Sequence, residues 1–165
     1  MEEQLTTEEW ENYKRSKARA WLATVRRTKS QLQAAIDEVI ELRSTMSITG
    51  SYALDGMPRN PNTSDSAILN AICAIEQRCD NLNARVDEYK RVVTAADDVI
   101  ASLVSHEFAS VVIDYHYLRG MNYNDVAKKI GYSETTVRNY ITPVALSEVY
   151  DKMPHIYRDQ IPQAI

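Results

Sequence analysis

The most regular feature of the chain is a repeat of apolar residues in its middle third. The repeat alternates steps of four and three residues at Ile68, Ile72, Ile75, Cys79, Leu82, Val86, Tyr89, Val93, Ala96, Ile100 and Leu103. No charged residue stands in this series. Apolar residues at the a and d positions of successive heptads are typical of helices that pack in a coiled coil. The pattern predicts one long helix with a continuous apolar seam.

A second apolar repeat lies nearer the N-terminus, from about Thr7 to Thr45. Its positions recur every seven residues at Ala18, Val25, Leu32 and Val39, with Trp21, Thr28, Ala35 and Leu42 three residues further on. Residues 46–63 contain two glycines and two prolines and predict a loop between the repeats. Two helices of similar length joined by one loop predict an antiparallel hairpin, whose uncovered apolar surface favours self-association as a dimer. The alternative is a three- or four-helix bundle in which C-terminal helices cover the seam.

Shorter helices are predicted after residue 104. Asn122 is placed to cap one helix, Gly131 to end it in a left-handed conformation, and Ser133 to cap the next. Two short helices joined by such a corner have the spacing of a helix-turn-helix. The predicted fold is therefore all-α, with a long antiparallel helical hairpin over residues 1–104, a helix-turn-helix domain over 105–152 and a C-terminal tail over 153–165.

Residues 117–140, "YLRGMNYNDVAKKIGYSETTVRNY", carry a pattern shared with DNA-binding proteins. A tyrosine precedes Arg-Gly, and an aliphatic residue followed by alanine, a glycine corner, a serine and a valine come after it. The segment resembles region 4 of sigma factors. The whole chain resembles phage late-gene transcriptional regulators of the ArpU/RinA type, which combine a long helical N-terminal half with a C-terminal helix-turn-helix. The resemblance implies sequence-specific DNA binding by a phage or prophage transcription regulator, with RNA polymerase as a further partner to test.

The chain departs from that family pattern just after the recognition helix. Family members place leucine eight residues beyond the valine, where this chain has Ala145, and Pro143 intervenes. Proline inside a helix removes a hydrogen bond and costs about 3 kcal/mol. Thr142 followed by proline is typical of an N-cap and a first helical position. The sequence therefore predicts that the recognition helix ends near Ile141 and that another helix runs from Pro143 to about Lys152.

The predicted DNA-binding residues lie on the two helices and the corner of the motif. They are Asn122, Tyr123, Lys128, Lys129, Tyr132, Ser133, Glu134, Thr135, Thr136, Arg138 and Asn139. Arg138 can bridge O6 and N7 of guanine, Asn139 can pair with N6 and N7 of adenine, and Thr135 can contact a base or a thymine methyl group. Lys128 and Lys129 are candidates for phosphate contacts. The alternative for the whole set is an ordinary solvated helix face.

Charge is distributed unevenly around a net value of −4. Residues 1–12 carry five acids and no base, whereas residues 13–29 carry seven bases and no acid. The seven bases, candidates for a phosphate clamp, are Lys14, Arg15, Lys17, Arg19, Arg26, Arg27 and Lys29. A solvated helix face neutralised by the acids upstream is equally compatible with them. Residues 106–152 carry only five bases against six acids, so the helix-turn-helix alone lacks the positive excess that drives non-specific DNA binding.

Other classes of function have little support in the sequence. The three histidines have no cysteine or carboxylate at metal-ligand spacing, and no phosphate-binding loop or nucleophile motif is present, so we expect no enzyme activity, cofactor or metal. No signal peptide or membrane span is predicted, which favours a cytoplasmic protein with reduced thiols at Cys73 and Cys79. Two rival functions remain. One is a phage small terminase subunit that recognises packaging DNA, and the other is an interaction protein whose helix-turn-helix docks on another protein.

Overall fold

The computed structural model describes residues 6–52 and 65–158, and all regular elements in these ranges are helical. Helices α1, Thr7–Tyr52, and α2, Asp65–Ala101, are the two long helices. The shorter elements are α3, Ala109–Val112, continued by π-helical turns at Ile113–Leu118; α4, Tyr123–Ile130; α5, Glu134–Thr136, continued by a π-helical segment at Val137–Ile141; α6, Thr142–Lys152; and α7, His155–Arg158. The predicted all-α fold, a long helical hairpin followed by a helical C-terminal region, is confirmed.

Much of both predicted seams is buried. The seam residues that are at most 7% exposed are Cys79, Leu82, Val86, Ala96 and Ile100 on α2, Leu103 just after it, and Ala18, Trp21, Val25 and Val39 on α1. The seam residues that are half-buried are Ile72, Ile75, Tyr89 and Val93 on α2 and Leu32 and Leu42 on α1. The Glu38 carboxylate pairs with the Arg78 guanidinium at 2.5 Å, whereas residues 18–25 share an apolar core with residues 96–103. Positions later on α1 thus pair with positions earlier on α2, as in an antiparallel hairpin. Within the described ranges no helix combines the length and the apolarity needed to cross a bilayer.

The described residues form two compact units, and the predicted domain boundary near residue 104 does not separate them. The first unit contains residues 6–28 and 92–158, and the second contains residues 29–52 and 65–91. In the first unit α6 places Ala145, Leu146 and Val149, all 0% exposed, in one core with Leu22 and Ile100. The C-terminal helices therefore cover this end of the seam, as in the bundle alternative, because the inner face of α6 is as apolar as the seam.

Two segment boundaries also need correction. The loop predicted for residues 46–63 begins too early, because α1 continues to Tyr52; its remainder, residues 53–63, lies outside the described residues. The tail predicted for residues 153–165 is partly ordered structure. Met153 is 0% exposed in the core of the first unit and α7 follows it, while residues 159–165 lie outside the described residues. Burial of Met153 overrides the local turn signal at the C-terminal end, whereas nothing in the structure explains the extension of α1 to Tyr52.

The helix break predicted at Pro143 does not occur. Ile141 and Thr142 have helical torsions, with φ of −69° and −61°, so the backbone stays helical from Glu134 to Lys152. The widened π-helical turn before Pro143 makes room for a ring that would clash with the carbonyl four residues earlier. Thr142 donates both its N–H and its hydroxyl to the Val137 carbonyl, the hydroxyl at 2.7 Å. Thr142 thus acts inside the helix and is not an N-cap.

Glu148 joins α6 to the turn that follows α2. Its carboxylate accepts hydrogen bonds from the backbone N–H groups of Val104 at 2.9 Å and Ser105 at 2.9 Å, and from the Lys152 ammonium at 2.7 Å. Burial alone would raise the pKa of Glu148, but the Lys152 ammonium and these N–H groups outweigh it and lower the pKa from 4.5 to about 2. The ionised form is therefore bound more strongly in the folded state.

We expect the stability of the first unit to fall as the pH drops from about 5 towards 2. The pKa of Glu148 is lowered on folding, so its contribution is complete above 4.5 and is lost as the pH falls through about 2. Glu148→Gln should lower the free energy of unfolding by about 1–2 kcal/mol at neutral pH, because the glutamine amide NH₂ is a donor and cannot accept a hydrogen bond from one of the two N–H groups. Urea unfolding at pH 7 and pH 3 measures both effects. Asp98→Asn, at an exposed position, is the control, and an equal loss in the two variants would contradict this role for Glu148.

Candidate nucleic-acid interface

The helix-turn-helix has its own apolar core within the first unit. The core consists of Val112 at 0%, Val126 at 0%, Ala127 at 2%, Val137 at 0% and Ile141 at 2% exposure. These residues come from α3, α4 and the π-helical segment after α5, so three helical elements meet there. A core of this kind fixes the helix that contains Val137 and Ile141 against the rest of the motif.

The caps predicted from the sequence are present at both helices of the motif. The Asn122 side chain accepts a hydrogen bond from the Asp125 N–H at 2.8 Å, and the Ser133 hydroxyl accepts one from the Thr136 N–H at 3.0 Å. Gly131 ends α4 with a φ of 76°, and its N–H bonds the Ala127 carbonyl. Local sequence signals therefore set where each helix begins and ends.

The four proposed reading positions of the recognition helix face solvent. Glu134, Thr135, Arg138 and Asn139 are all exposed, whereas Val137 and Ile141 on the opposite side are buried. Among the other predicted DNA-binding residues, Asn122, Lys128, Lys129, Tyr132 and Ser133 are exposed, and Tyr123 and Thr136 are half-buried. The Thr136 hydroxyl lies 2.7 Å from the Ser133 hydroxyl, so it is engaged within the corner. The predicted DNA-binding residues thus all lie on one motif, and all of them except Tyr123 and Thr136 are exposed.

Cationic side chains lie over tyrosine rings on this motif. The Arg138 guanidinium is 5.7 Å from the centroid of the Tyr123 ring. Lys129 and Arg119 lie 4.9 Å and 4.8 Å from the Tyr115 ring centroid, and Arg119 also pairs with Asp114. Attraction of this kind, worth about 0.5–1 kcal/mol at exposed sites, limits the conformations of a long side chain while leaving its donors available.

The His116 ring stacks on the Tyr123 ring. The His116 and Tyr123 rings are 3.8 Å apart and nearly parallel, and His116 Nδ1 lies 2.7 Å from the Met121 carbonyl oxygen. The Tyr123 hydroxyl meets the Tyr117 hydroxyl at 3.5 Å. Burial and, to a smaller extent, the hydrogen bond with Tyr123 raise the pKa of Tyr117 to about 12 against the opposing effect of the Arg19 guanidinium. Tyr117 therefore keeps its proton at physiological pH.

Tyr132 occupies the corner between the two helices of the motif. It is 39% exposed, and its ring packs edge-on against Phe108 at 5.7 Å and His106 at 5.9 Å. Its hydroxyl lies 3.5 Å from the Glu107 carboxylate. Within the residues that the structure describes, no cluster of histidine, cysteine and acidic side chains is arranged to hold a metal ion.

The basic stretch of α1 separates into two groups. Lys14 pairs with Glu11 at 3.3 Å and Asp151 at 3.5 Å, and Lys17 is 7% exposed with its ammonium 5.4 Å from the Tyr13 ring centroid. Arg15 is half-buried. Lys14 and Lys17 are therefore engaged within the folded chain, and the phosphate clamp predicted for the whole stretch stays a prediction. The exposed members of the stretch are Arg19, Arg26 and Arg27 in the first unit and Lys29 in the second.

Gly120 brings α1 close to the start of the helix-turn-helix. It has a φ of 73°, and a Cβ added there would lie 2.9 Å from Cζ of Arg26. The guanidinium of Arg26 therefore packs on the Gly120 backbone, two residues before the Asn122 cap. The sequence signals the turn through its Arg-Gly pair, but nothing in it identifies Arg26 as the neighbour, because that contact joins residues far apart along the chain.

Alanine at Gly120 and at Gly131 should give a matched pair of variants. Both glycines have left-handed torsions, so each substitution should cost about 1–2 kcal/mol. No atom lies within 4 Å of the added Cβ at Gly131, whereas at Gly120 the flexible end of Arg26 must swing aside. Urea unfolding measures the cost, and the side-chain NMR signal of Arg26 should shift in Gly120→Ala alone. An unchanged Arg26 signal would contradict the contact.

A helix-turn-helix does not define a function by itself. Its role depends on the side chains that it exposes and on the surface around it. Comparisons of this chain with protein-family models, with curated proteins and with solved structures find no match.

Proposed function

We propose that the chain is a sequence-specific DNA-binding protein whose recognition helix enters the major groove. The main support for this proposal is that one helix has an exposed polar face and a buried apolar face. Glu134, Thr135, Arg138 and Asn139 are exposed, while Val137 and Ile141 anchor the same helix in the three-element core. A helix held in this way can present its N-terminal turns to base edges.

The exposed side chains supply the chemistry of base recognition. Arg138 offers two donors to O6 and N7 of a guanine, and Asn139 offers a donor and an acceptor to an adenine. Thr135 suits a thymine methyl group or a base edge, and Glu134 can accept from N4 of cytosine. Lys128 and Lys129, exposed on α4, suit phosphates, which position a protein without reading sequence.

Regulation of transcription is the biological role that we propose for this binding. Support comes from the resemblance to sigma factor region 4 and to phage late-gene regulators, which also makes RNA polymerase a partner to test. The helix-turn-helix has no excess of positive charge, so a dimer with two copies of the motif would bind more tightly than one copy. The expected compartment is the cytoplasm.

A second candidate function is protein docking through the same helix. Tyr140 and Val144, four residues apart on the continuous helix, are 70% and 50% exposed. Exposed large apolar side chains at this spacing suit a contact with another protein. The two functions differ in what the helix binds, so one experiment separates them.

Selection from a pool of random duplexes tests the proposal. The full chain should enrich a defined site, and light scattering of the protein should show a small oligomer such as a dimer. A ring of eight or more copies would favour the small terminase alternative. If no duplex is enriched at low salt, DNA binding is wrong and the docking function takes its place.

A further inference from the structure

We propose that α1 belongs to the DNA interface and that Arg19 and Arg26 bind backbone phosphates beside the base-reading residues. This inference rests on the proposed function of the recognition helix. It assigns a double-stranded DNA contact to two residues of the long N-terminal helix, and it leaves out Lys14, which is ion-paired, and Lys17, which is buried.

The position of Arg26 is the first support. Its guanidinium packs on Gly120, directly before the turn that leads to the Asn122 cap of α4. Gly120 has no side chain, which permits this close approach, and Arg26 is nevertheless exposed to solvent. A planar guanidinium matches a phosphate with two parallel hydrogen bonds.

Arg19 connects the same helix to the recognition helix. It is seven residues before Arg26, which is about two helical turns and the same face of α1. Its guanidinium lies beside the Tyr117 hydroxyl, and that hydroxyl meets the Tyr123 hydroxyl at 3.5 Å. The Arg138 guanidinium in turn lies over the Tyr123 ring, 5.7 Å from its centroid. A continuous series of side chains therefore runs from α1 to the residue proposed to read a base.

The charges of Arg19 and Arg26 are not neutralised within the described part of the chain. Neither side chain forms an ion pair there, in contrast to Lys14, which pairs with two carboxylates. Asp114, one of the acids of the motif, is held by Arg119 at 2.7 Å. Exposed, unpaired arginines next to a helix-turn-helix suit the repeated negative charge of a duplex backbone.

The charge balance of the motif gives an independent reason for a contribution from α1. Residues 106–152 carry five bases and six acids, so the motif by itself supplies little of the electrostatic attraction that dominates DNA affinity. Arg19 and Arg26 add two positive charges at its edge. They belong to the same compact unit as the motif, so they keep a fixed place beside it.

The test compares Arg26→Gln with Arg27→Gln in the full chain. Arg27 is also exposed, but it points about 100° further around α1. Binding of a selected duplex and of a scrambled duplex is measured by fluorescence anisotropy over a range of salt concentrations. Arg26→Gln should weaken both complexes by the same factor and reduce the slope of log K against log salt by about 0.9, the value for one lost phosphate contact. Arg19→Gln together with Arg26→Gln should reduce it by about 1.8.

The outcomes distinguish this inference from the proposed function. Circular dichroism and thermal unfolding must first show that each variant is folded. If wild-type protein selects a site and Arg26→Gln binds with the same affinity and slope as Arg27→Gln, the contribution of α1 is wrong and the base-reading function stands. If Arg26→Gln changes the ratio between selected and scrambled duplex, Arg26 reads sequence and the phosphate contact is wrong. If wild-type protein selects no duplex, both proposals fail.

Discussion

Val86→Asp is expected to unfold the second unit. Val86 is 7% exposed in the seam of α2, and no charged residue stands in that seam to pair with a carboxylate. A buried charge without a partner costs about 3–5 kcal/mol. A typical domain is stabilised by only about 5–15 kcal/mol, so the loss is a large part of the total. The variant should lose helical circular dichroism and unfold at a much lower urea concentration.

Asn81→Asp is the matched control for this substitution. It adds one negative charge to an exposed position of α2 only five residues away, so its stability should stay close to that of the wild type. Light scattering on both variants shows whether unfolding is accompanied by dissociation of an oligomer. Equal unfolding midpoints for Val86→Asp and Asn81→Asp would mean that the seam is not buried in solution.

The hairpin could be predicted because its signal is local and repeated. A heptad pattern indicates which face of a helix is apolar, and much of both predicted seams is buried. The pattern does not report what covers that face. The seam packs with Leu146 and Val149 of α6 at residues 18–25 and 96–103. This contact joins distant parts of the chain, so a local repeat does not predict it.

Pro143 shows how a tertiary context overrides a local rule. Proline disfavours a helix interior because it lacks an N–H and its ring clashes with an earlier carbonyl. Here the π-helical segment relieves the clash, and Thr142, 1% exposed, donates its hydroxyl to the Val137 carbonyl. The cores on either side hold Val137 and Leu146, so burial of both ends keeps the helix continuous.

The candidate site was predictable in its caps and its exposed face but not in its basic surroundings. Asn122, Gly131 and Ser133 act through neighbours three or four residues away, which a sequence displays directly. The sequence alone does not distinguish the buried from the exposed basic residues of α1. Only packing shows that Lys17 is buried while Arg26 lies at the entrance of the helix-turn-helix.

The continuous helix gives the residues that we propose to read bases a rigid support. Its N-terminal half closes the core of the motif through Val137, and its C-terminal half lies in the core of the first unit through Leu146. Rotation of the reading face would therefore require repacking of two cores. In the proposed complex with DNA, a fixed face would lower the free-energy cost of ordering side chains on binding.

Arg138→Ala is expected to lose about 1–3 kcal/mol of binding free energy on the selected duplex and much less on a scrambled one. Base edges differ between sequences and phosphates do not, so only a base contact changes the ratio of the two affinities. The preference at a single base pair of the selected site should relax in the variant. Titration of both duplexes at one salt concentration, followed by substitution of each base pair, measures both effects.

Arg119→Ala is the matched control, because it also removes an exposed arginine that lies over a tyrosine ring. The Arg119 guanidinium is 4.8 Å from the Tyr115 ring centroid, as the Arg138 guanidinium is 5.7 Å from the Tyr123 ring centroid, but Arg119 is outside the recognition helix. Its loss should leave the ratio of selected to scrambled affinity unchanged, whatever its effect on overall binding. If Arg138→Ala also leaves that ratio unchanged, Arg138 contacts no base, and sequence reading must come from Glu134, Thr135 and Asn139, the other exposed side chains proposed to read bases on that face.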